Sequence, residues 1–208
     1  MLRIIETDAC VAEGAEWLAA HHPEFAAILP MVDPLPLRLR PDGFGQLLSA
    51  IMSQQVSVAS ARAISGRLEA AGLLSEDAVA KASEDALRAC GLSRQKIRYA
   101  GELARARINY KALRSAESEE VVETLTAVPG IGRWTAEIYA MFSLGHADVF
   151  APNDLALQIS AQHVFDLPER PTEKELRLLA ENWAPWRGVA ARALFAYYHH
   201  IKGREGLS

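Results

Sequence analysis

The pattern that most constrains this chain is one it lacks. No stretch alternates apolar and polar residues over the roughly four to eight positions that a half-buried strand requires, whereas segments rich in Ala and Leu recur throughout with helical spacing. An all-α protein follows. Twelve helices are expected, among them residues 25–29, 94–111, 133–142, 155–163 and 185–200, with extended pieces only at 37–39 and 148–150. Pro30, Pro34, Pro36 and Pro41 mark an irregular connector before the first long helix, because proline has no amide to donate and clashes with the preceding turn. That connector reads as a boundary between lobes.

With 208 residues, half of them apolar, the chain has enough material to bury a sizeable core. No apolar run reaches the roughly 18 residues that span a bilayer, and acids stand in the first residues where a signal peptide needs a basic and then apolar pattern. Cytoplasmic residence is expected, at the nucleoid if the source is bacterial. Cys10 and Cys90 lie far apart in apolar contexts, so they read as small buried residues and not as a disulfide or a zinc site. The net charge of -4 argues against a protein that holds nucleic acid by bulk electrostatics alone. Yet residues 88–114 carry eight basic side chains against a single acid, Glu102. Such a run is either the solvated face of a helix or an anion-binding surface.

The most informative segment is LTAVPGIGRWTA, residues 125–136, where one helix ends, PGIG turns the chain and another helix begins. Pro129 stops the first helix, while Gly130 and Gly132 permit positive φ and put no Cβ between the backbone and an approaching group. Outward-facing amides beside the positive end of a helix dipole form an anion site, for which a DNA phosphate is a natural occupant; a tight helix-helix corner is the simpler alternative.

VPGIGRWTA resembles the hairpin of the helix-hairpin-helix DNA glycosylase superfamily, in particular its 3-methyladenine DNA glycosylase II branch. Four further blocks resemble family segments in the family's order: IMSQQVSVASARAISGRL at 51–68, CGLSRQKIRYAGELA at 90–104, DVFAPNDLALQ at 148–158 and WAPWRGVAARALFAYY at 183–198. Together they cover most of the chain from about Phe44 onward. The resemblance implies a two-lobed all-α fold, one lobe of residues 43–136 and one formed by residues 1–42 together with 137–208, with its active site in the cleft between lobes, and a monomer that acts on double-stranded DNA containing alkylated bases. It also implies that the hairpin holds phosphates 3′ of the lesion through Gly130, Gly132 and Arg133. A monovalent cation, Na+ or K+, would sit on the main-chain carbonyls of Thr126, Val128 and Ile131, since hard cations take oxygen ligands.

Breaking an N-glycosidic bond builds positive charge on the deoxyribose, so the reaction needs a fixed anion near C1′. Asp154 follows Pro152 and Asn153 and opens an expected helix, where free amides favour its ionised form. An ordinary helix cap is the plain reading, and the resemblance makes Asp154 the catalytic aspartate. Asp148 falls where the family has a structural acid. Two positions after Gly132, where lyase members of the superfamily carry a lysine nucleophile, this chain has Trp134, so no Schiff base is expected. No cysteine follows Cys90, so the four-cysteine iron-sulfur site of the endonuclease III branch has no ligands here and no cofactor is expected. The rivals are a bifunctional glycosylase/lyase and a noncatalytic DNA-binding module.

A base must leave the duplex to reach any active site. By resemblance Gln55 fills the gap, and Trp134, Ile138, Leu155 and Phe195 line the base pocket. Alkylated purines are cationic and can be held by stacking on electron-rich rings. Trp183, Trp186, Tyr139 and Tyr197 fall in the same motifs and read as core or as pocket. Relatives have tyrosines where this chain has Ile138 and Leu155.

Overall fold

A computed structural model describes residues 2–205. They form thirteen α-helices and a 3-10 turn at Glu181–Trp183. In order the helices are Asp8–His21 (α1), Pro23–Val32 (α2), Phe44–Ser53 (α3), Val58–Ala70 (α4), Glu76–Lys81 (α5), Glu84–Ala89 (α6), Arg94–Ala106 (α7) and Tyr110–Leu113 (α8). They continue with Ser118–Thr126 (α9), Arg133–Phe142 (α10), Leu155–Val164 (α11), Glu173–Ala180 (α12) and Arg187–Glu205 (α13). Most starts are written locally. Thr7, Ser57, Ser75, Ser83, Ser93, Asn109, Asp154 and Thr172 each accept an otherwise unpaired first-turn amide, worth about 1 kcal/mol apiece.

Three expectations are corrected. The single helix at 94–111 is two, because Arg107 turns left-handed at φ 47°, gripped by Asp77 at 2.6 Å, and Asn109 caps a fresh start. Pro30 belongs to α2 and not to the connector; it sits near the end of that helix, where a single lost backbone bond is tolerated. Residues 37–39 and 148–150 are not strands, and among the described residues the one β-bridge joins Ile4 to His146. No described helix is long and apolar enough to cross a membrane.

The chain divides into two compact units, Arg40–Tyr139 and the described parts of Met1–Leu39 with Ala140–Ser208, the second division falling within α10. In the central unit, α3 packs Leu47, Leu48, Ile51 and Met52 against α4 and α7, and α7 contributes Ile97, Ala100, Leu103 and Ala104. In the other unit α1 and α2 pack on α13, which also carries α11. Its core centres on Trp183, which is fully buried among Phe25, Phe150 and Phe165. Arg192 is also fully buried: its guanidinium donates to the carbonyls of Leu37, Gly188 and Met141. Burial pushes its pKa down to about 10, so the group remains charged at neutral pH.

Candidate active site

Within the central unit the hairpin is fixed by a close approach. Gly130 has φ 99°, and a Cβ there would stand 2.5 Å from Cγ of Tyr99, so only glycine fits. Gly132 differs from expectation: its φ is not positive, and apart from its chain neighbours no described atom lies within 4 Å of where its Cβ would be. Its open surface borders the first turn of α10. The Gln54 side-chain amide donates to the Gly130 carbonyl at 3.0 Å, tying the turn to the end of α3.

Arg133 opens α10 with its guanidinium already engaged. It makes paired hydrogen bonds to Glu119 at 3.0 and 2.9 Å and a third, also 3.0 Å, to the buried Glu137. Glu119 in particular raises its pKa. Its side chain therefore braces α9 against α10, and what position 133 offers an anion is its backbone. The Val128 carbonyl accepts the Ile131 amide at 3.1 Å. Among the described residues, no backbone amide outside the helices' own bonding reaches the carbonyls of Thr126 or Ile131. An oxygen-only set with lone pairs to spare fits a hard monovalent cation.

The loop after α3 splits two adjacent glutamines. Gln54 is half-buried against the hairpin, whereas Gln55 is exposed and held left-handed at φ 56° before Ser57 caps α4. Behind the loop, the Lys96 ammonium donates to the Met52 carbonyl at the end of α3, and burial lowers its pKa.

Asp154, in the other unit, sits at the N-cap of α11, where Oδ1 accepts the amides of Ala156 at 2.9 Å and Leu157 at 3.3 Å. The buried Gln158 donates its side-chain amide to the Pro152 carbonyl at 2.9 Å, and the Asp154 amide donates to Ala151 at 3.0 Å, so the Pro-Asn-Asp turn is pinned from both ends. The carboxylate is thus oriented by backbone and only half-buried. Asp148 is held differently, in a two-pronged pair with Arg187 at the start of α13.

The apolar positions divide. Trp134 and Leu155 are exposed, 42% and 53%, where an unliganded core residue would not be. Ile138 is half-buried one turn after Trp134, and Phe195 is buried. Tyr139, Trp183 and Trp186 are core; the Tyr139 hydroxyl accepts the Gly43 amide at 2.7 Å, and burial pushes its pKa up to about 12. Tyr197 is half-buried and stacks on His200. The Arg38 guanidinium lies over the rings of Phe142 and Phe195, 5.1 and 5.2 Å from their centroids. A face of the Phe195 ring therefore already carries a cation. Cys90 is buried as expected; Cys10 is only half-buried, beside Thr7.

Gln54, Tyr99, Lys96, Arg38 and Gln158 escaped the sequence reading. Gln54 and Gln158 stand inside quoted motifs, but nothing local says that each grips a distant or preceding carbonyl.

A family model described as HhH-GPD superfamily base excision DNA repair protein matches residues 48–185. Over 157 residues the chain is 31% identical to DNA-3-methyladenine glycosylase 1 of Schizosaccharomyces pombe, covering 71% of this chain and 69% of that one. It resembles the crystal structure of DNA-3-methyladenine glycosidase from Bacillus halodurans with a TM-score of 0.83 at 30% identity, covering 98% and 94% of the two chains. It likewise resembles the S. pombe 3-methyladenine DNA glycosylase in complex with abasic DNA, with a TM-score of 0.74 at 28% identity, covering 88% and 95%. By the family match and these likenesses together, the chain belongs to the HhH-GPD superfamily of base excision DNA repair proteins, in its 3-methyladenine DNA glycosylase branch.

Proposed function

We propose that this protein is a monofunctional DNA glycosylase that removes N3- and N7-methylated purines from duplex DNA. The observation that carries the reading is Asp154, a carboxylate fixed by the first amides of α11 and only half-buried. The hairpin amides around Gly130 and Gly132 hold phosphates, the base turns out of the stack, and Gln55 enters the space it leaves. Trp134, Ile138, Leu155 and Phe195 contact the extruded base. The bond between C1′ and the purine nitrogen then breaks with its electron pair leaving on the base. A cationic methylpurine departs neutral, so no acid is needed to protonate it. The sugar becomes oxocarbenium-like, and the Asp154 anion stabilises it more than it does the ground state. Water adds at C1′, its proton passes to the carboxylate, and the products are free base and an abasic site.

Trp134 supports hydrolysis without strand cleavage, because an indole offers no amine to attack C1′. The test is release of free bases from methylated duplex DNA, run with and without borohydride. Release of methylpurines with no trapped protein-DNA adduct is expected. A trapped adduct would indicate a lyase, and binding without any release would indicate a noncatalytic module.

A further inference from the structure

The eight cations of residues 88–114 sort by partner. Arg88 is 3.0 Å from Asp85 and 3.7 Å from Glu84, and Arg105 is 2.9 Å from Glu102. Arg107 pairs with Asp77 at 2.6 Å, and Arg114 grips Asp42 with two hydrogen bonds at 2.7 and 2.8 Å. Lys96 turns inward onto the Met52 carbonyl. Arg94, Arg98 and Lys111 are left, and their side chains make no ion pair among the described residues.

Arg94 and Arg98 stand one helical turn apart, both exposed, on α7. With Glu84, Gln95 and Tyr99 they line an open groove of about 610 Å³. Its one acid, Glu84, is the residue beside Arg88. A second cavity of about 260 Å³ shares Gln95 and Tyr99 and runs on to Gln54 and Gln55. Tyr99 is the joint between them: its ring lies under Gly130, and its hydroxyl accepts the Gln95 amide at 2.8 Å. One surface thus leads from the hairpin and the Gln55 loop to two guanidinium groups that have no acidic partner among the described residues.

We infer that Arg94 and Arg98 bind phosphates of the DNA duplex, extending the grip of the hairpin along α7. A guanidinium presents a planar fork of donors that matches phosphate oxygens, and the groove's continuity with the hairpin selects nucleic acid over other anions. The inference rests on the reading of the hairpin as a DNA contact.

The test measures binding of the full chain to a duplex containing an abasic analogue across a salt series. For Arg94→Gln/Arg98→Gln the slope of log affinity against log salt should become shallower by about 2, close to one unit per lost phosphate contact, with at least about tenfold weaker binding at low salt. Arg94→Lys/Arg98→Lys should keep the slope, because the charge remains. Arg88→Gln, whose guanidinium already has acidic partners, should change neither quantity. An unchanged slope in the double Gln variant, or an equal loss in Arg88→Gln, would overturn the proposal. Base release by wild-type protein from methylated DNA separates the two readings. A shallower slope without base release would leave the groove standing and remove the glycosylase; base release with an unchanged slope would do the reverse.

Discussion

Asp154 and Asp148 carry the same functional group within one short segment, yet their surroundings give them different work. Asp148 shares its charge with Arg187 in a half-exposed pair, whereas Asp154 is aimed by two backbone amides at the head of α11. Asp154→Asn should therefore lower base release by about a hundredfold or more while DNA binding persists, since the lost anion acts only on the developing oxocarbenium charge. Asp148→Asn should leave release intact and cost about 1 kcal/mol or less in a thermal melt, the pair being partly solvated. Near-normal release by folded Asp154→Asn would refute the assignment. The two hairpin glycines separate in the same manner. Gly130→Ala should lower the melting temperature, because its Cβ collides with Tyr99 at a left-handed φ. Gly132→Ala should melt like wild type but bind DNA more weakly on every sequence tested, since backbone contacts carry no sequence information. A loss confined to some sequences would contradict that role. Asp154 was legible in advance because capping is local and three residues suffice to see it. Arg133 was not, because the carboxylate that occupies it, Glu119, lies 14 residues earlier and meets it only once α9 and α10 pack.

Among the elements, the loop between α3 and α4 shows how a short segment acquires direction. Gln54 is tethered to the hairpin and Gln55 is turned outward by its left-handed backbone, so the two amides cannot exchange roles. Gln55→Ala should weaken binding to an abasic duplex and leave single-strand binding nearly unchanged, because only the duplex has a gap to fill. Equal losses on both would remove the wedge role. Ser57, Ser75, Ser83, Ser93, Asp154 and Thr172 each precede a helix that was readable in the sequence, whereas the start that Asn109 caps was not. The chain misled where a tertiary partner decided: Arg107 leaves the α7 helix although arginine itself has good helical propensity, and Asp77 of α5 holds it. The basic run of 88–114 looked like one feature in the sequence, and packing divides it into four paired arginines, an inward-turned Lys96 and, among the described residues, three side chains without an ion pair, Arg94, Arg98 and Lys111.

For the whole molecule, the all-α class follows from patterning, and the proline connector lies beside the first division between units; the second division, within α10, and the polar ties that hold each unit do not show locally, since the ties join residues far apart in sequence. One such tie makes stability depend on pH. Tyr139 is buried with its hydroxyl accepting the Gly43 amide, and its folded pKa of about 12 exceeds the ordinary 10. Its contribution is therefore complete below pH 10 and is lost as the pH climbs towards 12. Melting temperature should fall across that window, and Tyr139→Phe should melt lower at neutral pH but with a shallower alkaline decline. An alkaline decline in Tyr139→Phe as steep as in wild type would show that another group controls it. The arrangement of the chain has a further consequence, for synthesis. The unit that contains Asp154 draws on residues on both sides of the central unit, and α1 and α2, besides packing on each other, pack on α13. On the ribosome, the central unit has all its residues first and can close, in keeping with the N-terminal-first order of folding during translation. Leu18, Phe25 and Ile28 emerge earlier still, but Phe25 meets Phe165 and Trp183, and α1 and α2 meet α13, only after the central unit has been made. The central unit, with its hairpin, can thus close before the fold around Asp154 is complete, and in that interval chaperones have an apolar surface to shield.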